Sequence, residues 1–341
     1  MPETPNILDV RKILDNGDEA KRANLVLIAE GYTKAERKLF EGHCRTLVNV
    51  IKQEQWYKRM PGALNVHRIM VESKETGRWI PYACPPRPRR TAFKATFCAN
   101  RSMLRAVGGD MALAQTVAGL HVADVTTTGV LVNHSGKGGT GAHNGFWCTT
   151  GRSRWWYVAL HELGHGMFGL ADEYDGVRGT YTGGREPSAP NITIETDRDK
   201  LKWRHLVSPD TPVPTQMHGE PLENTRLRYE VGLFEGGSRF ERGVYRPAHN
   251  CRMRQSAAGF CDVCEEHIVK FLTPYADEIP EGTGEVAAPT VEVVPDVPEG
   301  EETVVRPKAR IEVKIGGRTI SWIDSRSGTD SAIAYLRRRH P

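Results

Sequence analysis

The sequence contains no run of about 20 apolar residues, so it predicts no helix that spans a membrane. Its first residues also lack the basic and then apolar pattern of a signal peptide, so the chain as written is expected to stay in the cytoplasm unless a non-classical route exports it. The net charge is only +4 over 341 residues, which does not favour a nucleic-acid-binding protein. We therefore expect a soluble protein with neither a membrane nor a nucleic acid as its partner.

Positive charge is concentrated in one segment that prolines interrupt. Its basic residues are Arg87, Arg89, Arg90, Lys94 and Arg101. Few aromatic residues are interleaved with them, although stacking on aromatic rings is usual where a protein binds single-stranded nucleic acid. A solvated loop is the favoured interpretation, and a surface for an acidic protein substrate is the alternative.

Cysteine is scarce as well, with seven residues, and the odd number leaves at least one thiol unpaired in a monomer. Three of them, Cys251, Cys261 and Cys264, are close together in the sequence. They form a disulfide with one spare thiol, remain buried thiols, or hold a small structural zinc ion with His249 and His267. The sequence leaves these alternatives open, and with them the redox compartment.

Residues His161–His165 read His-Glu-Leu-Gly-His, which is the strongest signal in the chain. Histidines four positions apart lie on one helical face, so both can reach one zinc ion, while Glu162 can hold the attacking water. An apolar stripe at helical spacing faces away from the histidines, formed by Trp156, Leu160, Leu163 and Met167. The pattern predicts a zinc hydrolase helix with its back in the core, beginning at a cap provided by Thr150 or Ser153.

A catalytic zinc usually has a third protein ligand, and the candidates lie just downstream. If the helix continued, Asp172 would lie about 16 Å along its axis from His161, too far to bind the same ion. The chain must therefore turn, and Gly169 is the natural hinge. Asp172 is the predicted ligand and Glu173 the alternative, although a role for Glu173 beside a ligand or as a solvated acid is favoured over ligation.

Several segments together resemble the metallopeptidases of the immunoglobulin A peptidase family, M64, which are metzincin-like. The similar segments are Leu25–Thr33, Asn65–Arg68, Val130–Asn133, His161–His165, Leu170–Tyr174, Tyr245–Pro247, Cys251–Arg254 and Phe260–Cys264. They lie within residues 22–272, so the resemblance covers most of the chain.

The resemblance implies a zinc endopeptidase that acts on proteins or peptides with one catalytic Zn²⁺. Its ligands would be His161, His165 and Asp172, and Glu162 would be the general base. Met253 would be the methionine of a tight turn beneath the metal, unless it is an ordinary core methionine. Cleavage of immunoglobulin belongs to one branch of the family and is not required by these motifs.

The expected mechanism follows from a zinc ion with one open position for water. Glu162 would take the proton of that water and return it to the leaving amine. Tyr245 is a candidate donor to the developing oxyanion, against the alternative of a packed loop tyrosine. Two other functions stay open, a zinc-binding recognition module without turnover and a zinc amidase acting on a non-protein or cell-wall peptide. The intact Glu162 argues against the first.

The strand predicted at Thr127–Asn133 leads into the glycine-rich run Gly136–Gly141. In metzincin-like enzymes an edge strand at this position pairs with extended substrate. The run contains a formal GxGxxG, but Gly141 is followed by His143 and further loop-forming residues rather than by a helix, so a dinucleotide site is rejected. A mobile loop over the cleft is predicted instead.

The order of elements predicts an α/β upper lobe with a mixed sheet. Strands are expected at 24–29, 64–72 and 127–133, and helices at 33–55 and 101–120. The zinc helix follows this lobe in the sequence.

A turn-rich region from 175 to 250 predicts the lower lobe and its specificity loops, and a helix is expected near 262–272. The methionine turn that the resemblance implies, at Met253, would belong to this lobe. Residues 1–272 would thus form the catalytic domain.

The remaining residues predict a linker and a small tail. Residues 273–305 carry nine acidic residues and no Lys or Arg, as expected of an extended linker. Residues 306–341 predict a β-hairpin around Gly316-Gly317 and a helix at about Asp330–Arg339. The tail is too small to be stable alone, so we expect it to dock in cis or on a partner, either as a structural cap or as a regulatory or targeting module.

Overall fold

The computed structural model describes residues 5–77, 89–97, 106–142, 144–176, 178–215, 230–276, 290–294, 309–315 and 318–324. The chain divides into two compact units, Met1–Asp277 and Glu278–Pro341. The first unit has a mixed α/β architecture. In the described part of the chain, no helix has the length and apolar character needed to cross a membrane.

A six-stranded sheet is the frame of the first unit. Its strands in chain order are β1 (Ile7–Leu14), β2 (Ala23–Glu30), β3 (Leu64–Val71), β4 (Val125–Val132), β5 (Gly139–Ala142) and β6 (Gly145–Thr149). Their spatial order is β1-β3-β2-β4-β6-β5. The four inner strands are parallel, whereas β1 and β5 run antiparallel at the two edges. The sheet is therefore mixed, as predicted.

Helices cover both faces of this sheet. They are α1 (Arg37–Ile51), α2 (Gln55–Arg59), α3 (Met111–His121), α4 (Trp156–Gly166) and α5 (Asp262–Leu272). Every residue of β2 is buried, and its side chains alternate between two clusters. Leu25 and Leu27 join the larger cluster, with residues of α1, α4 and α5, whereas Val26 and Ile28 join the cluster that contains residues of α3. This alternation is the two-residue period of a strand whose faces are both covered.

Two predicted helices differ from the structure in their bounds, and one strand was not predicted. The helix predicted at 33–55 is divided into a 3₁₀ turn, α1 and α2. Within the described residues, the helix predicted at 101–120 begins only at Met111, because the side chain of Asp110 caps it by accepting a hydrogen bond from the amide of Leu113. Strand β1 was not predicted, since its apolar residues do not alternate regularly.

The region 175–250 contains a second sheet within the described residues. Its strands are β7 (Arg178–Thr180), β8 (Phe234–Gly237) and β9 (Phe240–Arg246), in the order β7-β9-β8. The sequence predicted few regular elements here, and the strands are short, with two positive-φ residues, Ser238 and Arg239, in the connection between β8 and β9.

The second unit contains an antiparallel sheet of β10 (Thr290–Val294), β11 (Ala309–Ile315) and β12 (Arg318–Asp324). Ile315 lies opposite Arg318, so β11 and β12 form a hairpin at the predicted position. Strand β10 lies within the predicted linker, but its pairing with β11 assigns it to this sheet. The helix predicted at about Asp330–Arg339 lies outside the described residues.

Glu30 ties the end of β2 to the segment 89–97. It is fully buried, and its two carboxylate oxygens accept the amides of Phe93 at 2.8 Å and Ala95 at 2.7 Å. Burial raises the pKa of Glu30 above its ordinary value of 4.5, against the hydrogen bonds from Thr91 and the backbone amides. The folded chain therefore binds more protons than the unfolded chain between pH 4.5 and the raised pKa, and this group makes stability fall as pH rises through that window.

The Glu30→Gln variant is expected to lose about 1–3 kcal/mol of unfolding free energy at pH 5, because its amide NH₂ faces one of the two backbone donors. This deficit should shrink as pH rises through the raised pKa of Glu30, because only the wild type then gains a buried charge. Urea unfolding of both proteins at several pH values measures it. A deficit that is constant or grows with pH contradicts the assignment.

Candidate metal centre

Helix α4 presents the motif residues His161, Glu162 and His165 on one side and buries the other. Leu160 and Leu163 are no more than 1% exposed and lie in the larger core cluster. The N-cap residue of the helix is Trp155, whose side chain makes no capping hydrogen bond. Neither predicted cap is used.

Thr150 has another role. Its hydroxyl lies 2.7 Å from the Tyr32 hydroxyl and 3.2 Å from the Val132 carbonyl oxygen, to which it donates. It therefore ties the end of β6 to neighbouring segments.

The turn after α4 brings Asp172 back to the histidines. Gly169 has φ +65°, its amide donates to the His165 carbonyl at 3.2 Å, and the Leu170 amide donates to the Gly164 carbonyl at 3.0 Å. This is the left-handed helix ending that glycine favours. Gly169 is thus the hinge that the sequence predicted.

Asn191 holds the loop that follows. Its side-chain amide both donates to the carbonyl and accepts from the amide of Ala171, each at 2.9 Å, and it also donates to Glu173 Oε1 at 2.9 Å. Asn191 is fully buried, so this contact fixes the backbone next to Asp172.

Three ligand-type atoms converge beside α4. The Nε2 atoms of His161 and His165 lie 3.2 Å apart, and Asp172 Oδ1 lies 3.2 Å from the first and 2.9 Å from the second. A tetrahedral zinc with ligands at about 2.0–2.1 Å separates those ligands by about 3.3 Å. The donor set and its spacing therefore fit one zinc ion.

Backbone carbonyls orient both imidazole rings. His161 Nδ1 donates to the Arg252 carbonyl at 2.8 Å, and His165 Nδ1 donates to the Leu170 carbonyl at 2.6 Å. These contacts place the proton of each neutral ring on Nδ1, so each Nε2 offers its lone pair towards Asp172. Metal-binding histidines are usually held in this way.

Charges at the centre favour a cation. Burial opposes a charge on His161, but the hydrogen bond to Asp172 and the charges of Glu162 and Asp172 outweigh it and raise the pKa of His161 to about 9. Burial likewise opposes ionisation of Asp172, yet the bonds from the two histidines lower the pKa of this carboxyl far below its usual range. A divalent cation would replace the histidine proton in the same field.

Arg239 and Tyr174 complete the surroundings of Asp172. Arg239 Nε donates to Asp172 Oδ2 at 3.2 Å, whereas Asp172 Oδ1 faces the two histidines. Tyr174 hydrogen-bonds Asp172 and Arg239, and its ring is stacked near that of His161 with centroids 6.5 Å apart. Burial and then the charge of Asp172 raise the pKa of the Tyr174 hydroxyl.

Sequence reasoning missed Arg239, Tyr174 and Asn191. Arg239 reaches the centre because the connection between β8 and β9 is bonded to the ligand loop, with the Ser238 amide donating to the Asp172 carbonyl at 2.8 Å and the Arg239 amide to the Tyr174 carbonyl at 2.9 Å. Only the position of Tyr174 directly after Asp172 and Glu173 offered a signal in the sequence.

Glu162 is 8% exposed, and burial raises its pKa above the ordinary value of 4.5. Strand β5 passes directly over it. A Cβ atom on Gly139 would lie 2.5 Å from Glu162 Oε1, and one on Gly141 would meet the Glu162 carbonyl oxygen and lie 2.8 Å from His165 Cβ. Alternate glycines therefore let an edge strand pack against the motif side of α4.

This arrangement corrects two predictions. The second half of the glycine run is a strand paired with β6 rather than a loop. The segment Thr127–Asn133 supplies β4, which lies between β2 and β6, so the edge strand beside α4 is β5 instead.

The Gly139→Ala substitution is expected to displace the Glu162 carboxylate. If Glu162 is the general base that the motif predicts, the rate of hydrolysis should fall about 10²-fold, as misplacement of a catalytic group by about 1 Å can do. Thr140→Ala is the matched control, because Thr140 is the exposed neighbour on the same strand. Steady-state kinetics and zinc content of both variants provide the measurement. Equal rates for the two variants would show that β5 does not constrain Glu162.

Met253 lies beneath α4. It is fully buried in a tight turn, where the amides of Arg254 and Gln255 donate to the Cys251 carbonyl at 2.9 and 2.8 Å. A Cβ atom on Gly164 would lie 2.7 Å from Met253 Sδ, so this sulfur packs against α4 between the two motif histidines. The neighbouring Arg252 supplies the carbonyl that holds His161.

Other predicted residues lie elsewhere. Tyr245 is part of β9 and bridges to Thr193 through the backbone. It is partly buried against a third hydrophobic cluster, which includes Leu201, Trp203 and Leu233, so its proposed contact with the oxyanion stays a prediction. Glu173 is fully buried and its Oε1 lies 3.3 Å from Cys264 Sγ rather than in the histidine cluster. His267 is hydrogen-bonded to the Phe168 carbonyl at 2.9 Å.

The basic segment is only partly described. Arg87 and Arg101 lie outside the described residues. Arg90 donates its amide to Glu75 at 2.7 Å, and Arg89 donates to the Thr76 carbonyl at 3.3 Å, both in exposed positions. These contacts fit the predicted solvated loop.

Comparison with known proteins identifies one family. The sequence model of the family described as IgA Peptidase M64 matches residues 11–226 and 220–272. The match includes α4, the loop with Asp172 and the turn with Met253. A search of curated proteins returned no match.

Proposed function

The chain belongs to the IgA peptidase M64 family, so it is a peptidase, and on this premise we propose that it is a zinc-dependent endopeptidase. His161, His165 and Asp172 would hold the ion, and Glu162 would be the general base. The observation that carries the proposal is the convergence of two Nε2 atoms and one carboxylate oxygen within 3.2 Å of one another. Catalysis is assigned to residues 1–272.

The side chains around the ligands have defined tasks. When bound, zinc would act as a Lewis acid that makes water more acidic and polarises the peptide carbonyl. Glu162 would accept the proton from water and deliver it to the leaving amine, for which its buried position beside both histidines is suited. Arg239 and Tyr174 would hold Asp172 through its second oxygen and so keep the first directed at the ion.

Strand β5 offers a place for an extended peptide. It is the last strand of its sheet and packs against α4 through Gly139 and Gly141. A substrate segment could add to this edge by backbone hydrogen bonds, which would bring a peptide bond near Glu162. Such binding depends little on side chains and suits a peptidase acting on unfolded or extended segments.

The test is mass-spectrometric profiling of a diverse peptide library with the purified protein, with a chelator and after zinc is restored. Internal cleavage that the chelator abolishes and zinc restores is the expected result. Bound zinc without cleavage would support a recognition module instead. Cleavage confined to cell-wall peptides, supplied as a separate arm, would support the amidase alternative.

A further inference from the structure

A second group of ligand-type side chains lies next to the proposed catalytic centre. Its members are Glu173, Cys251, Cys261 and Cys264, whose ligand atoms all lie within 4.8 Å of one another. The three cysteines are free thiols. Cys251 Sγ and Cys264 Sγ are 3.8 Å apart, and Glu173 Oε1 lies 3.3 Å from Cys264 Sγ and 3.9 Å from Cys261 Sγ.

We propose that Cys251, Cys261, Cys264 and Glu173 bind a second zinc ion, which is structural. Four protein ligands close the coordination sphere, as in structural sites, and leave no open position for water. Zinc–sulfur bonds of about 2.3 Å in a tetrahedron separate two sulfur atoms by about 3.8 Å. The separation of Cys251 Sγ from Cys264 Sγ has this value.

Glu173 gives an independent reason to expect a cation. It is fully buried, and its Oε2 has no hydrogen-bond partner within the described part of the chain. Leaving a carboxylate oxygen buried and unpaired is costly, whereas a divalent cation would satisfy it together with the thiolates. His249 and His267 are the sequence-based candidates to bind an ion together with the cysteines, but the geometry selects Glu173 as the fourth ligand.

The position of the ligands explains what the ion would do. Cys261 is the N-cap residue of α5 and Cys264 lies in its first turn, so both sulfur ligands lie at the N-terminus of this helix. Cys251 precedes Met253 by two residues, and Glu173 follows Asp172 directly. The Glu173 amide also donates to the Met253 carbonyl at 2.8 Å. One ion would thus fasten α5, the methionine turn and the loop of Asp172 together.

The proposal does not rest on the proposed function, and metal counting separates the two. The full chain, purified under reducing conditions, is expected to carry two zinc ions by elemental analysis. The His161→Asn/His165→Asn double variant should retain one, with zinc–sulfur distances of about 2.3 Å by X-ray absorption. The Cys264→Ser variant should lose one ion and unfold at a lower temperature, whereas Cys148→Ser, another buried free cysteine, should keep both.

Because Cys264→Ser could fail to fold, the wild type is also reconstituted with Co²⁺. Charge-transfer absorption between thiolate and Co²⁺ would support the site. Cysteines that react with a thiol reagent in denaturant only after a chelator is added would also support it. One sulfur-bound zinc in the wild type and none at the histidines would support this site and refute the catalytic zinc. The cysteine site would be overturned if zinc is bound without sulfur ligands. It would also be overturned if the three cysteines react equally fast before and after the chelator is added.

Discussion

Replacing Glu162 with glutamine is expected to lower kcat for peptide cleavage by about 10²- to 10⁴-fold while the chain keeps its zinc. Glutamine has the same shape, but its amide cannot take a proton from water near neutral pH. The histidines hold their orientation through the carbonyls of Arg252 and Leu170, which the substitution does not touch. The loss should therefore appear in kcat and not in metal content.

The matched control is Glu266→Gln on α5, an exposed carboxylate paired with His205. It should cleave the same peptides at the wild-type rate. Kinetics with a peptide found by library profiling, together with zinc analysis of each protein, give the two readouts. A Glu162→Gln rate within tenfold of the wild type would remove Glu162 as the general base.

The parts of the site that the sequence predicted are local. The spacing of His161 and His165 sets their common face by helix geometry alone, and Gly169 marks the end of the helix because a left-handed residue is needed there. The α/β class could be predicted from the sequence for a similar reason, because buried strands such as β2 are nearly continuous apolar runs. Local patterns of this kind do not depend on the rest of the chain.

The parts that it missed depend on contacts between distant segments. Arg239 lies 67 residues after Asp172 and reaches it only because a β-turn is bonded to the ligand loop. The glycine run predicted a loop because glycine favours turns, whereas here the absence of side chains lets β5 pack on α4. Glu173 was considered as a partner of the histidines, but the direction of the chain after the turn places it among the cysteines.

These neighbouring acids have separate roles in this arrangement, and their amide variants should differ accordingly. Asp172→Asn is expected to weaken zinc binding at the histidine site at least about 100-fold, since the loss of a mere supporting contact already costs about 10- to 100-fold. The substitution removes the negative charge that faces His161 and His165, and an amide NH₂ turned towards the ion would repel it. It also leaves Arg239 without its carboxylate partner.

Glu173→Gln is the matched comparison, because it changes the next residue in the same way and leaves Asp172 unaltered. It should keep zinc at the histidines, because Asp172 and both imidazoles are unaltered, while the binding of a zinc ion by the cysteines is weakened. Titration of each variant with a chelator, followed by activity and by zinc content, separates the two sites. If Glu173→Gln lost the histidine-bound zinc and Asp172→Asn kept it, Glu173 would be the third ligand. The opposite result, loss of the histidine-bound zinc in Asp172→Asn alone, is the one expected from the positions of the two carboxylates, with Asp172 beside the histidines and Glu173 among the cysteines.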